Sequence, residues 1–318
     1  MKILVTPTSL GPSTKSAPME KLLAFADEIV YNPHTHPLTE EELIPLLTGC
    51  DGYLAGLDHI SEKVLDSTSC LRVISRFGTG CDRVDLDAAR KRGIPVTNTP
   101  GVNADAVADL TLGLMLAVAR AIPMLDRTIK QGEWIRHTGI ELGGKVLGIL
   151  GFGMIGKKTA LRAAGFGMAV IAYDPCMDEE YAKDIGVLSK SFEQVITESD
   201  FISLHLPVTE ATSNMINKNT IEKMRPGTII INTSRGGLID EDALYQALEN
   251  GHLGGAALDA YDKEPPDFNR PLYQLPNVVT TPHTGAHTTE AIQNMASMAV
   301  DNLIGVLETG DSPYITNR

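Results

Sequence analysis

Ionisable side chains suited to proton and charge chemistry gather in three segments of the second half of this 318-residue chain. Arg235 lies in NTSRGGLIDEDAL, Asp259 and Glu264 in ALDAYDKEPP, and His283 and His287 in TPHTGAHTTEA. Histidine is the side chain best suited to moving a proton near neutral pH, and the planar, permanently charged fork of arginine matches a carboxylate. Each segment follows a short apolar run. Ligands in open α/β sheets sit outside the carboxyl ends of strands, so the three segments can converge on one crevice. A fourth segment, GFGMIG at residues 151–156, follows the apolar run KVLGIL and opens the helix-period stretch MIGKKTALRAAGFG. In such a turn Gly151 permits the bend, Gly153 lets a phosphate approach the backbone, Gly156 permits close helix packing, and the helix N-terminus favours a pyrophosphate. After the next apolar run stands Asp174, whose carboxylate can accept from both adenosine ribose hydroxyls and would repel a 2′-phosphate. Nothing basic follows in PCMDEEY. The pattern selects NAD over NADP.

The elements that must position these residues are legible as alternating patterns. Short apolar runs bounded by turn residues (KILVT, EIVYN, GYLAG, RVISR and PVTN, then KVLGIL, MAVIAYD, DFISLHL, TIIINT, GGAALD and NVVTT) alternate with helix-period segments. Such alternation implies an α/β fold with mostly parallel sheets. The early and late runs read as separate sheets, and a chain of this length is expected to hold two domains. Between them, residues 103–134 read as two long helices broken near Pro123. Such a pair can bridge domains, pack two subunits together, or do both. A last helical stretch, about residues 288–308, either continues the second domain or crosses back to the first.

A formal charge of −13 and a pI near 5.0 argue against a nucleic-acid or anionic-membrane surface, which needs a basic footprint. Small molecules are the expected partners. Cys50, Cys70, Cys81 and Cys176 show neither C-x-x-C nor metal-like spacing, so they read as reduced thiols of a cytoplasmic chain with no bound metal. The N-terminal MKILVTPTS is strand-like rather than a signal peptide. The longest apolar stretch, LTLGLMLAVA at residues 110–119, is too short to span a bilayer.

Six blocks then stand in a recognisable order: RFGTGCDRVDLDAA, NTPGVNADAVADLTLGLMLA, LGILGFGMIG, NTSRGGLIDEDAL, ALDAYDKEPP and PHTGA. Over nearly its whole length the chain resembles the D-2-hydroxyacid dehydrogenase family, and within it the phosphoglycerate dehydrogenase branch. The resemblance implies a flavodoxin-like substrate domain, residues 1–99 plus 287–318, and an inserted Rossmann NAD-binding domain, residues 100–286, with dimerisation helices at 103–134. It favours a last helix that crosses back. It also implies a catalytic trio of Arg235, Glu264 and His283. Arg235 would hold the substrate carboxylate and polarise the oxygen beside it. His283 would take the hydroxyl proton in oxidation and return it in reduction. Glu264 would fix the imidazole tautomer and stabilise the imidazolium.

On the cofactor side the resemblance places Gly151, Gly153, Met154, Ile155 and Gly156 at the pyrophosphate and Asp174 at the ribose. Leu206 and Pro207 match the stretch that lines the adenine pocket. Thr212, Thr233, Ser234, Arg235, His283 and Gly285 are expected beside the cofactor, and Asp259 is expected to bond the nicotinamide amide. On the substrate side, amides around Gly78, Thr79 and Gly80 would hold a carboxylate. Arg76 and Arg136 match arginines that pair with a phosphate, the second supplied by a neighbouring subunit. The expected reaction is therefore NAD-dependent oxidation of 3-phosphoglycerate to 3-phosphohydroxypyruvate, the first step of serine biosynthesis, in a homodimer. No carboxyl-terminal regulatory extension is visible, so control through such a domain is not expected. The alternatives are a glyoxylate or hydroxypyruvate reductase, a dehydrogenase of another acidic D-2-hydroxy acid and, more distantly, an NAD(H)-sensing corepressor-like protein.

His287 departs from the pattern. Many relatives carry serine there, in S-T-x-E, which reads as a helix capping box. Here Thr288 or the ring of His287 takes the cap, or the ring meets an anionic substrate group.

Overall fold

The computed structural model describes all 318 residues. They divide into two units, Met1–Asn103 with His287–Arg318, and Ala104–Ala286. In the first unit, strands β1 (Lys2–Val5), β2 (Glu28–Tyr31), β3 (Gly52–Ala55), β4 (Val73–Arg76) and β5 (Val96–Thr97) form a parallel sheet in the order β2-β1-β3-β4-β5. This is the flavodoxin-like order. Strands β3 and β4 are buried along their whole length, which is why they read as continuous apolar runs rather than alternating ones.

Packing decides the partner of the last helix, Thr289–Thr309. Its Ala299, Leu303 and Leu307 are buried with Ile3, Leu54 and Val73 of the first sheet. Polar ties reinforce the contact: Ser75 Oγ donates to the Ala299 carbonyl at 2.8 Å and Arg72 Nη2 to the Leu307 carbonyl at 2.9 Å. Thr288 caps this helix, its Oγ1 accepting from the Ala291 amide at 3.1 Å, and Gly310 ends it at a φ of 81°. The exposed His287 precedes the cap.

The second unit holds β6 (Val146–Leu150), β7 (Ala169–Tyr173), β8 (Leu188–Ser189), β9 (Phe201–Leu204), β10 (Ile229–Asn232), β11 (Gly255–Leu258) and β12 (Val278–Thr280). All are parallel, in the order β12-β11-β10-β9-β6-β7-β8. The order reverses between β6 and β9, the switch point beside which dinucleotides bind. Strand β8 is absent from the sequence expectation because it is two exposed residues with no apolar run. Along β10, Ile230 packs into one face's core while Ile229 and Ile231 pack into the other, the period-2 division of a sheet covered on both sides. Helix Ala104–Ala119 covers the second of these faces through Leu112 and Met115.

A bend of 64° separates helix Ala104–Ala119 from helix Ile122–Lys130. Ala121, at a φ of 50°, makes the bend, and Pro123 opens the second helix in its first turn. No single helix is long and apolar enough to cross a membrane.

Candidate active site

The glycine turn after β6 is shaped by two close approaches and one open position. A Cβ on Gly151 would lie 2.5 Å from the His205 carbonyl oxygen, and one on Gly156 would lie 2.1 Å from the Gly151 carbonyl oxygen. Neither position admits a side chain. Gly153, by contrast, faces open space, with no atom within 4 Å of an added Cβ. It is the N-cap of helix Met154–Gly165, and no side chain caps that helix end. The first-turn amides therefore keep their donors for an anion, as a pyrophosphate requires. Asp174, at the end of β7, is pinned beside the turn: Oδ2 accepts from the Phe152 amide at 2.7 Å and Oδ1 from the Cys176 amide at 2.8 Å. An anchored carboxylate in this place fits a ribose diol and opposes a 2′-phosphate. The residues present fit NAD.

Strands β10, β11 and β12 are neighbours and parallel, so the loops that follow them leave one edge of the sheet. The loop after β12 is held by Asp259, which directly follows β11 and is buried. Its Oδ1 accepts from Thr281 Oγ1 at 2.6 Å and from the Thr284 amide at 2.8 Å, and its Oδ2 from the Gly285 amide at 2.8 Å. Within that clasp His283 takes the left-handed conformation, φ 50°, an uncommon one for a residue with a Cβ that the surrounding bonds over-determine. Its Nδ1 lies 2.7 Å from Glu264 Oε1. An ionised carboxylate can only accept, so Nδ1 carries the hydrogen and Nε2 presents its lone pair. The Tyr261 amide, at 3.2 Å, donates to the same Oε1 and sets the carboxylate.

Arg235 leaves the end of β10 through a turn built by Asn232, whose Oδ1 accepts from the Ser234 amide at 3.0 Å and whose Nδ2 donates to the Arg235 carbonyl at 2.8 Å. Gly236 then passes so near the next loop that a Cβ would fall 1.9 Å from the Tyr261 carbonyl carbon. That approach brings the arginine loop against the loop carrying Asp259 and Glu264. Arg235 Nη1 donates to the Ser234 carbonyl at 2.8 Å, and the side chain is half-buried.

Other expected cofactor residues have visible structural tasks. Thr233 is buried, its hydroxyl 2.9 Å from that of Thr111. Ser234 Oγ donates to the Leu206 carbonyl at 2.6 Å, with Leu206 buried and Pro207 exposed. Thr212 is spent on its own turn, donating to the Pro207 carbonyl at 2.7 Å and accepting from the Thr209 amide at 2.8 Å. The bonds of Asp259 run to the histidine loop, a loop-holding task that the sequence does not announce.

In the first unit, the amides of Thr79 and Gly80 take no backbone partner within the chain, while the Thr79 carbonyl accepts from Asn98 Nδ2 at 2.8 Å. These amides can serve a carboxylate. Arg76, expected at a phosphate, is turned inward. It ends β4 at 3% exposure, and its guanidinium donates to the Ala55, Gly56 and Gly80 carbonyls. A buried guanidinium must find acceptors for its donors, and the adjacent strand end supplies them. Burial also works against its charge, pulling its pKa down from the ordinary arginine value. Arg136, in the second unit, lies in an exposed stretch outside any helix or strand.

Three residues that shape the site escaped the sequence reading. Asn232 and Tyr261, whose hydroxyl donates to the Thr281 carbonyl at 2.7 Å, sit inside quoted blocks but have no charge to draw notice. His205, after β9, shares a 2.9 Å hydrogen bond with Ser203 Oγ while its Nδ1 is sealed without a partner. The residue keeps a partly exposed edge, yet burial of the ring pushes its pKa down to about 3, so the imidazole is neutral.

Comparison with known proteins identifies the family. The model of the D-isomer specific 2-hydroxyacid dehydrogenase NAD-binding domain matches residues 112–285. A glyoxylate reductase of Thermococcus litoralis is 42% identical over 270 residues, 82% of this chain and 81% of that protein. A D-3-phosphoglycerate dehydrogenase of Archaeoglobus fulgidus is 43% identical over 249 residues, 78% of this chain but 47% of that protein, so the chain spans about half the length of this relative. The crystal structure of D-lactate dehydrogenase from Aquifex aeolicus, complexed with NAD and lactic acid, superposes with a TM-score of 0.84 at 28% identity, over 97% of this chain and 96% of that one. With two parallel α/β sheets and a glycine turn that fits NAD, the chain belongs to the D-isomer-specific 2-hydroxyacid dehydrogenases, a family of NAD-dependent oxidoreductases.

Proposed function

We propose that this protein reduces a small 2-keto acid, glyoxylate or hydroxypyruvate, to the 2-hydroxy acid, glycolate or D-glycerate, with Arg235, Glu264 and His283 as the working side chains. The observation that carries the assignment of the trio is the 2.7 Å contact between His283 Nδ1 and Glu264 Oε1 in a loop clasped by Asp259. Because Nδ1 is committed to the carboxylate, the proton moves at Nε2. His283 gives it to the keto oxygen in reduction and takes it from the hydroxyl in oxidation. Arg235 pairs with the substrate carboxylate and polarises the neighbouring oxygen. Residues 151–156 and Asp174 would hold NADH, with Thr233, Ser234, Leu206 and Gly285 nearby, and the bound cofactor would supply the hydride that reduces the substrate carbon.

The inward-turned Arg76 favours an acid without a phosphate, since the residue is 3% exposed and its Nε and Nη1 donate to three carbonyls. A second reading, oxidation of 3-phosphoglycerate, draws support from the exposed Arg136 and from the phosphoglycerate dehydrogenase relative. Steady-state kinetics with NADH on glyoxylate, hydroxypyruvate and phosphohydroxypyruvate separate the two. The first reading expects kcat/KM to be no higher for the phosphorylated acid. A tenfold preference for it, lost in Arg136→Ala, would establish the second.

A homodimer fits the same chain. Ile122, Ile129 and Ile135 are each at least half exposed, and Trp134 is 79% exposed. Large apolar side chains exposed together over residues 122–135 suit an interaction surface. Sedimentation at micromolar concentration tests it, with a monomer as the contrary result.

A further inference from the structure

A loop of the first unit gathers three metal-type ligands that have no task above. His34, His36 and Glu42 each bring one ligand atom to within 4.8 Å of the others. The loop reads NPHTHP over residues 32–37, and Asn32 closes it: Oδ1 accepts from the His34 amide at 2.8 Å, and Nδ2 donates to the His36 carbonyl at 3.0 Å. The two imidazoles stack with centroids 4.9 Å apart and planes 19° from parallel. His36 Nδ1 lies 2.9 Å from the Pro37 carbonyl. A carbonyl only accepts, so Nδ1 holds the hydrogen and Nε2 is left with its lone pair. Glu42 is held in the same way: Oε2 accepts from the Thr39 amide at 2.9 Å in a helix capping box, while Oε1 faces His34 Nε2 at 3.7 Å. At the far end of the loop the Leu38 amide donates to the buried Asp58 carboxylate at 2.6 Å. His36 and Glu42 thus carry the outer hydrogen bonds that orient metal-binding side chains.

We propose that His34, His36 and Glu42 form a binding site for a borderline divalent transition cation of the zinc type. Two imidazoles and one carboxylate leave a fourth position for water, the donor set of a three-ligand zinc site. Hard cations such as calcium and magnesium prefer oxygen alone. Metal–ligand distances of about 2.1 Å place tetrahedral donor atoms about 3.4 Å apart. Rotation of the exposed His34 ring, which lacks such an anchor, would close the remaining gap. A bound cation ties the 34–36 loop to the first turn of helix Glu40–Leu47, and so stiffens that edge of the first unit.

The test is calorimetric titration of the metal-stripped full chain with zinc chloride, in a C70S/C176S background because both thiols are exposed and free. One equivalent per chain is expected. Its Kd should rise at least tenfold in His34→Ala and in His36→Ala, and the equivalent should disappear in the double variant, with circular dichroism and NADH binding unchanged. Glu42→Gln keeps the capping function, since glutamine serves at that position, but removes the anionic ligand and should also weaken binding. His59→Ala is the control, because His59 pairs with Glu40 instead. Cobalt(II) added in place of zinc should give visible absorption that vanishes in the double variant. No equivalent at all, an affinity unaltered in the double variant, or an equal loss in His59→Ala would each overturn the site.

Discussion

His283 Nδ1 and Glu264 Oε1 stand 2.7 Å apart, although one side chain follows β12 and the other lies beyond the end of β11. The pair fixes which imidazole nitrogen is free, and the Tyr261 amide fixes the carboxylate. Glu264→Gln keeps the shape but loses the charge that stabilises an imidazolium. We expect kcat to fall about a hundredfold, the lower end of general acid–base effects, with NADH affinity by fluorescence nearly unchanged. Wild-type turnover would contradict a positioning role for Glu264.

Arg235→Lys retains the charge and loses the planar fork. Turnover should drop far more than NAD affinity, and the KM for the keto acid should rise. Equal losses in both affinities would place Arg235 at the cofactor instead.

Asp259→Ala strips three donors in the histidine loop of their acceptor. A buried donor left unsatisfied, here the Gly285 amide, costs roughly 1–3 kcal/mol, and the part-buried Thr281 and Thr284 donors add less, so urea unfolding should show lost stability along with lost turnover. Wild-type stability would mean that the loop holds itself.

The two glycines of the dinucleotide turn should behave differently. Gly156→Ala drives a Cβ to 2.1 Å from a backbone oxygen and should fail to fold or melt far lower. Gly153→Ala meets no protein atom within 4 Å, so it should fold normally while NADH binding weakens. A Gly153→Ala variant with unimpaired NADH affinity would remove that position from the pyrophosphate site.

His205 adds acid sensitivity. Its folded pKa, about 3, lies below the unfolded value of about 6.5, so the unfolded chain binds the extra proton between those limits. Stability from this residue is full above about 6.5 and is lost as pH falls toward about 3. His205→Asn should flatten the dependence of unfolding free energy on pH in that window. An unchanged slope would show that the ring is solvated.

Local patterns determined much of this protein. The apolar runs mark eleven of the twelve strands because each is long or buried enough to leave a run, and only the two-residue β8 is too short and exposed to do so. The glycine spacing and Asp174 mark the dinucleotide site because turn conformation and helix-end charge act over a few residues. Tertiary structure decided what depends on chain arriving from elsewhere. Arg76 looks like a surface charge until the end of β3 supplies the carbonyls that take its guanidinium. The last helix finds its partner only when its alanines and leucines meet the first sheet. Asp259 becomes a clasp only because β12 lies beside β11 and delivers the Thr281–Gly285 amides and hydroxyl to it. Periodicity reports which face of an element is apolar, whereas hydrogen-bond partners distant in sequence are chosen by packing.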